Sequence, residues 1–143
     1  MSTRAAEFNA RVIREFREYG GRVGGAFEGT PLLLLHHTGA ESGASRVNPV
    51  GHLRDGGRYV IFASNGGAPR DPIWVGNLRA EPRTSIEVAS ETIDVVAGQA
   101  TGEERERLFA LGAARFPQLA EFARKTDRVI PVIALTKTTE TQP

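Results

Sequence analysis

The run Leu32-Leu33-Leu34-Leu35-His36-His37-Thr38 limits most strongly the folds open to this chain. It is the longest apolar stretch, far too short to cross a bilayer. Thr30-Pro31 bounds it on one side and the loop Gly39-Ala40-Glu41-Ser42-Gly43-Ala44-Ser45 on the other. Such a run between turn residues reads as a buried strand. The residues that follow repeat the theme. Arg46 to Arg54 reads as a second strand, Asp55-Gly56-Gly57 as a hairpin turn, and Arg58 to Ala63 as a third strand, with Pro49 at an edge or bulge because proline cannot donate to a ladder. After the glycine-bearing loop Ser64-Asn65-Gly66-Gly67-Ala68-Pro69, a second hairpin is expected from Thr84–Ala89 and Thr92–Gln99, turning at Ser90-Glu91. Val129 to Leu135 supplies a last strand.

Helices punctuate these strands. Phe8, Val12, Phe16 and Tyr19 recur at helical spacing, with Arg11, Arg14, Arg17 and Glu18 on the other side, which predicts an amphipathic helix over residues 7–19. Gly20-Gly21 stops it, since glycine enters the left-handed region without a Cβ penalty. Packing on the protein's own core is the commoner use of such a helix; peripheral contact with a membrane surface is the minority alternative. Asp71-Pro72 reads as an N-cap and first turn for a short helix to Ala80 that carries Trp74. Thr101-Gly102-Glu103-Glu104 matches a capping box; the helix it opens runs to Ala114, breaks at Phe116-Pro117 and resumes to Lys125. A polar tail at 136–143 is expected to be loose. About six strands, two hairpins and three helices with few βαβ units argue for an antiparallel barrel with outer helices, an α+β and mainly β class. The 143 residues suit a single domain with one core.

Composition removes several classes of function. The net charge of +1, with both signs mixed along the chain, argues against a nucleic-acid partner. The absence of cysteine excludes disulfides, thiolate nucleophiles and iron–sulfur ligation, so redox chemistry requires a bound cofactor. The N-terminal Met-Ser-Thr-Arg lacks a signal-peptide core, and a cytoplasmic location is the default expectation. His36 and His37 are strand neighbours that face opposite ways, so they cannot share a metal from one side. No serine sits in a nucleophile elbow. The loop 39–46 lacks the spacing and lysine of a Walker motif, and no dinucleotide fingerprint follows a strand. That loop, with Arg46 at its end, suits a phosphodiester or serves as an ordinary connection. Ser64-Asn65-Gly66-Gly67 either admits a flat ligand or forms a ligand-free turn. Trp74 is more often a core anchor than a stacking partner.

Taken in order, Leu32-Leu-Leu-Leu-His-His-Thr-Gly39, Ser42-Gly-x-x-Arg46-x-x-Pro49, Asp55-Gly-x-Arg58-Tyr59, Ala63-Ser-Asn-Gly-Gly-Ala-Pro69, Pro72-x-Trp74-x-x-Asn77-Leu78-x-Ala-x-Pro82 and Thr126-Asp-Arg-x-Ile-Pro131 resemble the deazaflavin-dependent nitroreductase (quinone reductase) family over nearly the whole chain. The resemblance implies a split β-barrel that uses a reduced 8-hydroxy-5-deazaflavin, coenzyme F-420, as hydride donor. Flavin mononucleotide is the less favoured cofactor. The implied partner is a small-molecule electron acceptor: a quinone, nitroaromatic or activated enone. Carried over by position, Thr38, Gly39, Ser42, Gly43, Arg46 and Asn48 belong to the cofactor site, with Ser42, Gly43 and Arg46 holding the phosphodiester and its acidic tail. Ser64, Asn65, Gly66 and Gly67 line the deazaflavin ring and Trp74 walls it. Ser64 is the hydroxyl best placed for an acceptor oxygen and hence the catalytic candidate, while Phe116, Leu119 and Phe122 form the substrate pocket.

Two departures stand out. Glu41 replaces a lysine usual between the Thr-Gly and Ser-Gly pairs, and Ala44 stands where a basic residue is common. An acidic side chain there would repel a polyanionic tail. Phe116, Leu119 and Phe122 occupy places where well-studied members carry tyrosines, which leaves water or Ser64 to supply a proton. The rival from another class is a non-catalytic or weakly catalytic ligand-binding barrel. The expected assembly is a monomer or weak homodimer.

Overall fold

The computed structural model describes residues 3–27 and 29–138. Helix α1 spans Thr3–Glu18, α2 Ile73–Ala80, α3 Gly102–Arg115 and α4 Pro117–Lys125; the strands are β1 Leu32–Thr38, β2 Ser45–Asp55, β3 Arg58–Phe62, β4 Arg83–Val88, β5 Glu91–Gln99 and β6 Val132–Lys137. All pairings are antiparallel and close a barrel in the order β1-β2-β3-β6-β5-β4.

Strand alternation sorts the apolar residues into layers. Leu33 and Leu35 of β1 point inward, where they join Tyr59, Ile61, Ile86, Val95, Ile133 and Leu135; Trp74, Val75 and Leu78 of α2 complete this cluster. Leu32 and Leu34 point outward and are covered by Val12 and Phe16 of α1. Val12 and Phe16 are thus taken up by the barrel, whereas Phe8 and Tyr19 stay exposed, and Arg17 anchors the helix further through a fork of bonds to Glu87 at 3.0 and 2.7 Å. Among the described residues no helix is long and apolar enough to cross a membrane. A third cluster joins Val60, Phe62 and Val132 on the outside of the barrel to Leu108 of α3 and Leu119 of α4.

Gly112 lets α3 lie directly on Phe62. A Cβ there would stand 2.8 Å from Cε1 and Cε2 of the ring. Alanine favours a helix over glycine by about 1 kcal/mol, whereas overpacking a tight contact costs about 1–3 kcal/mol. Phe62 is buried and backed by α3, so the overpacking wins. Gly112→Ala is expected to lower stability by about 1 kcal/mol net in urea unfolding; an alanine variant as stable as wild type would show that the ring yields freely.

Several local expectations are corrected. The capping box is not formed: Thr101 makes no side-chain cap bond, and the Glu104 carboxylate pairs with Arg58 at 2.9 Å. Asp71 is not the N-cap of α2; Pro72 holds that position and Asp71 pairs with Arg128. The second hairpin turns at Ala89-Ser90, one residue early, with Ala89 in the left-handed region at φ +53°. The last strand starts at Val132 rather than Val129, and Thr136 and Lys137 belong to it rather than to a loose tail. Residues 139–143 of that tail lie outside the described residues. Gly20 and Gly21 end α1 at φ +64° and +100°, as expected of a glycine stop.

Pro49 pairs with Leu34 of β1, and β2 meets β3 only from His52 to Asp55. Residues 45–51 therefore have β1 as their single strand neighbour, and Pro49 sits on an edge as its missing donor requires. That open edge is where the barrel meets a large cavity.

Candidate functional site

The cavity has a volume of about 1100 Å³. It is lined by Arg46, Asn48, Pro49 and Val50 of the open edge of β2, by Ser64, Asn65 and Arg70 to Trp74, and by Phe116, Leu119 and Phe122 at the junction of α3 and α4. Phe27, Thr30, Leu32 and Arg115 close one side. A cavity of this size that combines aromatic walls with convergent polar and charged side chains suits a flat organic ligand that also carries polar groups.

Of the residues singled out in the sequence, the cavity brings together Arg46, Asn48, Ser64, Asn65, Trp74, Phe116, Leu119 and Phe122. Thr38, Gly39, Ser42 and Gly43, at the β1–β2 turn, are not among its lining residues, nor are Gly66 and Gly67. That turn is less open than expected. Gly39 N–H donates to Ala44 O at 2.8 Å, Gly43 N–H to Gly39 O at 2.8 Å, Ala40 N–H to Asn77 Oδ1 at 2.9 Å and Ala44 N–H to Ser42 Oγ at 3.1 Å. These four amides hold the turn's own shape rather than offering an anion nest. The Ser42 hydroxyl, already accepting, keeps its proton to donate outward. Glu41 is exposed and has no ion-pair partner among the described residues.

The Ser64 segment is fixed by Arg128, to which no role was assigned from sequence. Arg128 donates to Ser64 O at 2.7 Å, Ala68 O at 2.9 Å and Ala63 O at 3.2 Å, and pairs with Asp71 at 2.6 Å. Within the segment, Gly67 N–H reaches Ser64 O at 2.9 Å, Ala68 N–H reaches Asn65 O at 3.0 Å, and Asn65 Nδ2 donates to Arg70 O at 2.9 Å. Asn65 and Gly67 both have positive φ, +49° and +83°. Gly67 also backs onto α4, where a Cβ would meet the Phe122 carbonyl at 3.2 Å. Asn65, Gly66 and Gly67 form one short helical turn that is rigid before any ligand arrives. The Ser64 Oγ has no bonding partner among the described residues.

Deeper in, Asn77 Nδ2 lies 2.9 Å from His37 Nδ1, and His37 Nε2 lies 2.8 Å from Asn48 Oδ1. His37 is buried, and desolvation lowers its pKa; the Asn48 bond opposes this, while Arg46 and His36 add to it. Burial thus favours the neutral imidazole. His36, on the other face, pairs with Glu87 at 2.7 Å. Among the described residues no group of His, Asp and Glu could hold a metal.

Electrostatically the cavity is basic. Arg46, Arg70 and Arg115 line it without a carboxylate partner among the described residues; Arg115 donates to the Gly29 carbonyl at 3.3 Å and lies over the Phe116 ring. Asp71, the one acidic lining residue among the described residues, pairs with Arg128. Arg70 and Arg115 gave no sequence signal beyond their charge. Asn77 and Arg128 stand inside two of the quoted motifs, and position in a motif was the only hint of their importance.

Comparison with known proteins agrees with this geometry. The model of the F420H(2)-dependent quinone reductase family matches residues 9–137. The chain is 36% identical over 129 residues to an F420H(2)-dependent quinone reductase of Mycobacterium tuberculosis, which covers 85% of each protein. A solved F420-H2-dependent reductase, FDR-A, superposes with a TM-score of 0.68 at 38% identity, over 73% of this chain and 93% of that one. Another solved structure, described as a domain-swapped dimer, gives 0.70 at 32% identity, over 92% and 98%.

Proposed function

The chain belongs to the F420H(2)-dependent quinone reductase family, and on that premise we propose that it passes a hydride from reduced coenzyme F-420 to a quinone in the cavity along the open edge of β2. The observation that carries the placement is the combination of aromatic walls with Arg46 and Arg70, cations with no carboxylate partner among the described residues. A flat ring bearing a polyanionic tail meets both demands at once. When bound, the coenzyme supplies two electrons as hydride from ring carbon five.

The protein's own residues then position, shield and polarise. Trp74, held between the barrel interior and the cavity, forms the wall against the ring. Asn65, Gly66 and Gly67 bring backbone close to it. Arg46 takes the phosphodiester, with the Ser42 hydroxyl beside it and Thr38, Gly39 and Gly43 shaping the turn. The Ser64 hydroxyl, on a backbone pinned by Arg128, donates to the acceptor oxygen. Phe116, Leu119 and Phe122 cover the acceptor and exclude water. Nitroaromatics and enones are proposed as further acceptors, since an apolar wall recognises flatness rather than one functional group. A monomer or weak homodimer is the assembly we propose.

Following the absorbance of reduced coenzyme F-420 with a menaquinone analogue and with a nitroaromatic tests the reaction; tight binding of flavin mononucleotide with none of the deazaflavin would overturn it. Arg46→Ala is expected to weaken coenzyme binding by about 2 kcal/mol, the scale of a hydrogen bond to a charged group. An unchanged dissociation constant in a folded variant would return Arg46 to the solvent.

A further inference from the structure

The hydrogen bonds that link Ala40, Asn77, His37 and Asn48 have only one consistent direction. The Ala40 N–H can only donate, so the Asn77 atom 2.9 Å away is its carboxamide oxygen. The Asn77 amide nitrogen is therefore the donor facing His37, and His37 Nδ1, at 2.9 Å, must accept. A neutral imidazole that accepts at Nδ1 carries its proton on Nε2. That proton goes to Asn48 at 2.8 Å, which makes the near atom of Asn48 its oxygen. Each link fixes the next. The remaining group, Asn48 Nδ2, has no partner among the described residues, is not sealed from solvent, and belongs to a side chain that lines the cavity.

We propose that the Asn48 amide nitrogen donates a hydrogen bond to an oxygen of the cofactor's ring system, and that His37 is the positioning residue that fixes this polarity. The inference rests on the placement of the coenzyme in this cavity. Asn48 stands two residues from Arg46 on the same face of β2, about 7 Å further along the strand. If Arg46 takes the phosphodiester, Asn48 is displaced from it toward the ring. An asparagine free to rotate would present donor and acceptor alike, whereas one held at its oxygen presents two N–H groups only. Protonation of His37 at Nδ1 would set two donors against each other, and an Asn77 flip to relieve this would set its amide against the Ala40 N–H. The chain resists reversal from both ends.

Two measurements test this. In the ligand-free wild type, nitrogen-15 correlation spectra are expected to show His37 as the Nε2–H neutral tautomer at pH 7; an Nδ1–H tautomer or a cationic ring would overturn the directional chain. Binding is then titrated by fluorescence with coenzyme F-420 and with the tailless 8-hydroxy-5-deazaflavin riboside-type chromophore. Asn48→Leu is expected to weaken both ligands by the same factor, about threefold to tenfold, while Arg46→Ala weakens only the tailed one. His37→Phe is expected to weaken both ligands in the wild-type background and to add nothing in the Asn48→Leu background, a non-additivity that general damage to the fold would not produce. His37→Gln, which can accept at one atom and donate at the other, is expected to restore binding. Additive effects of His37→Phe and Asn48→Leu would overturn the positioning role, and unchanged affinities in Asn48→Leu would overturn the contact. Failure of the wild type to bind either compound would instead sink the cofactor placement itself, and this contact with it.

Discussion

Arg128→Leu is expected to lower the stability of the fold by about 3 kcal/mol and to abolish tight binding in the cavity. The guanidinium is mostly buried, with 14% of the side chain exposed, and it ties four groups of one segment together: the carbonyls of Ala63, Ser64 and Ala68 and the carboxylate of Asp71. Removing the cation leaves three carbonyls without their donor and a half-buried Asp71 without its counter-charge. The cost of such orphaned groups exceeds what an apolar leucine recovers by burial. The planar fork matters as much as the charge, because its nitrogens reach several acceptors at once. Arg128→Lys is therefore expected to regain part of the stability and little of the binding. Urea unfolding together with coenzyme titration checks both. A leucine variant within roughly 0.5 kcal/mol of wild type, the noise of an ordinary surface change, would show that the turn at Asn65–Gly67 holds itself.

The contrast between Arg128 and its neighbours explains how far the sequence could be read. Strands announced themselves because Leu32–Thr38 and the two hairpins combine apolar runs with glycine or polar turns, and the helix at Phe8–Tyr19 did so through its spacing. Errors arose where a tertiary partner overruled a local rule. Glu104 left its cap for Arg58, and Asp71 left its cap for Arg128. Ala89 turns the second hairpin at positive φ although nothing in alanine advertises a turn. Val129, Ile130 and Pro131 look like strand, yet Val129 is exposed and the segment serves to bring Arg128 beneath the Ser64 loop. The cavity's chemical character was legible in Arg46, Trp74 and the aromatic residues of α4. Its rigidity was not, because Arg128 and Asn77 bond backbone groups 37 to 65 residues distant, and a backbone donor or acceptor leaves no mark in a sequence.

Acid is expected to destabilise this protein through His52 before its ion pairs fail. His52 lies at the end of the barrel interior against Tyr59, with ring centroids 5.7 Å apart, and its Nδ1 is buried without a partner. Burial, and then the charge of Arg54, push its pKa down to about 4, against a weaker opposing effect of the Pro31 backbone. The folded state therefore refuses a proton that the unfolded chain accepts from pH 6.5 downward. Stability is fully present above 6.5, falls as pH drops toward about 4, and then levels off as the folded state begins to protonate. The depression corresponds to about 3 kcal/mol across that window. His37, lowered in the same direction by its own burial, adds to the slope. Asp55 does not interfere. Held down to about 2 by Arg107 and Arg58, it loses its contribution only as pH falls below its ordinary 3.8. His52→Phe keeps the ring volume, removes the unpaired nitrogen and cannot titrate. Urea midpoints measured from pH 7 to pH 4 are expected to fall steeply for wild type and much less for His52→Phe, the residue of the slope belonging to His37. Parallel curves for the two proteins would mean that the buried end of the barrel admits water and that His52 is hydrated in the folded state.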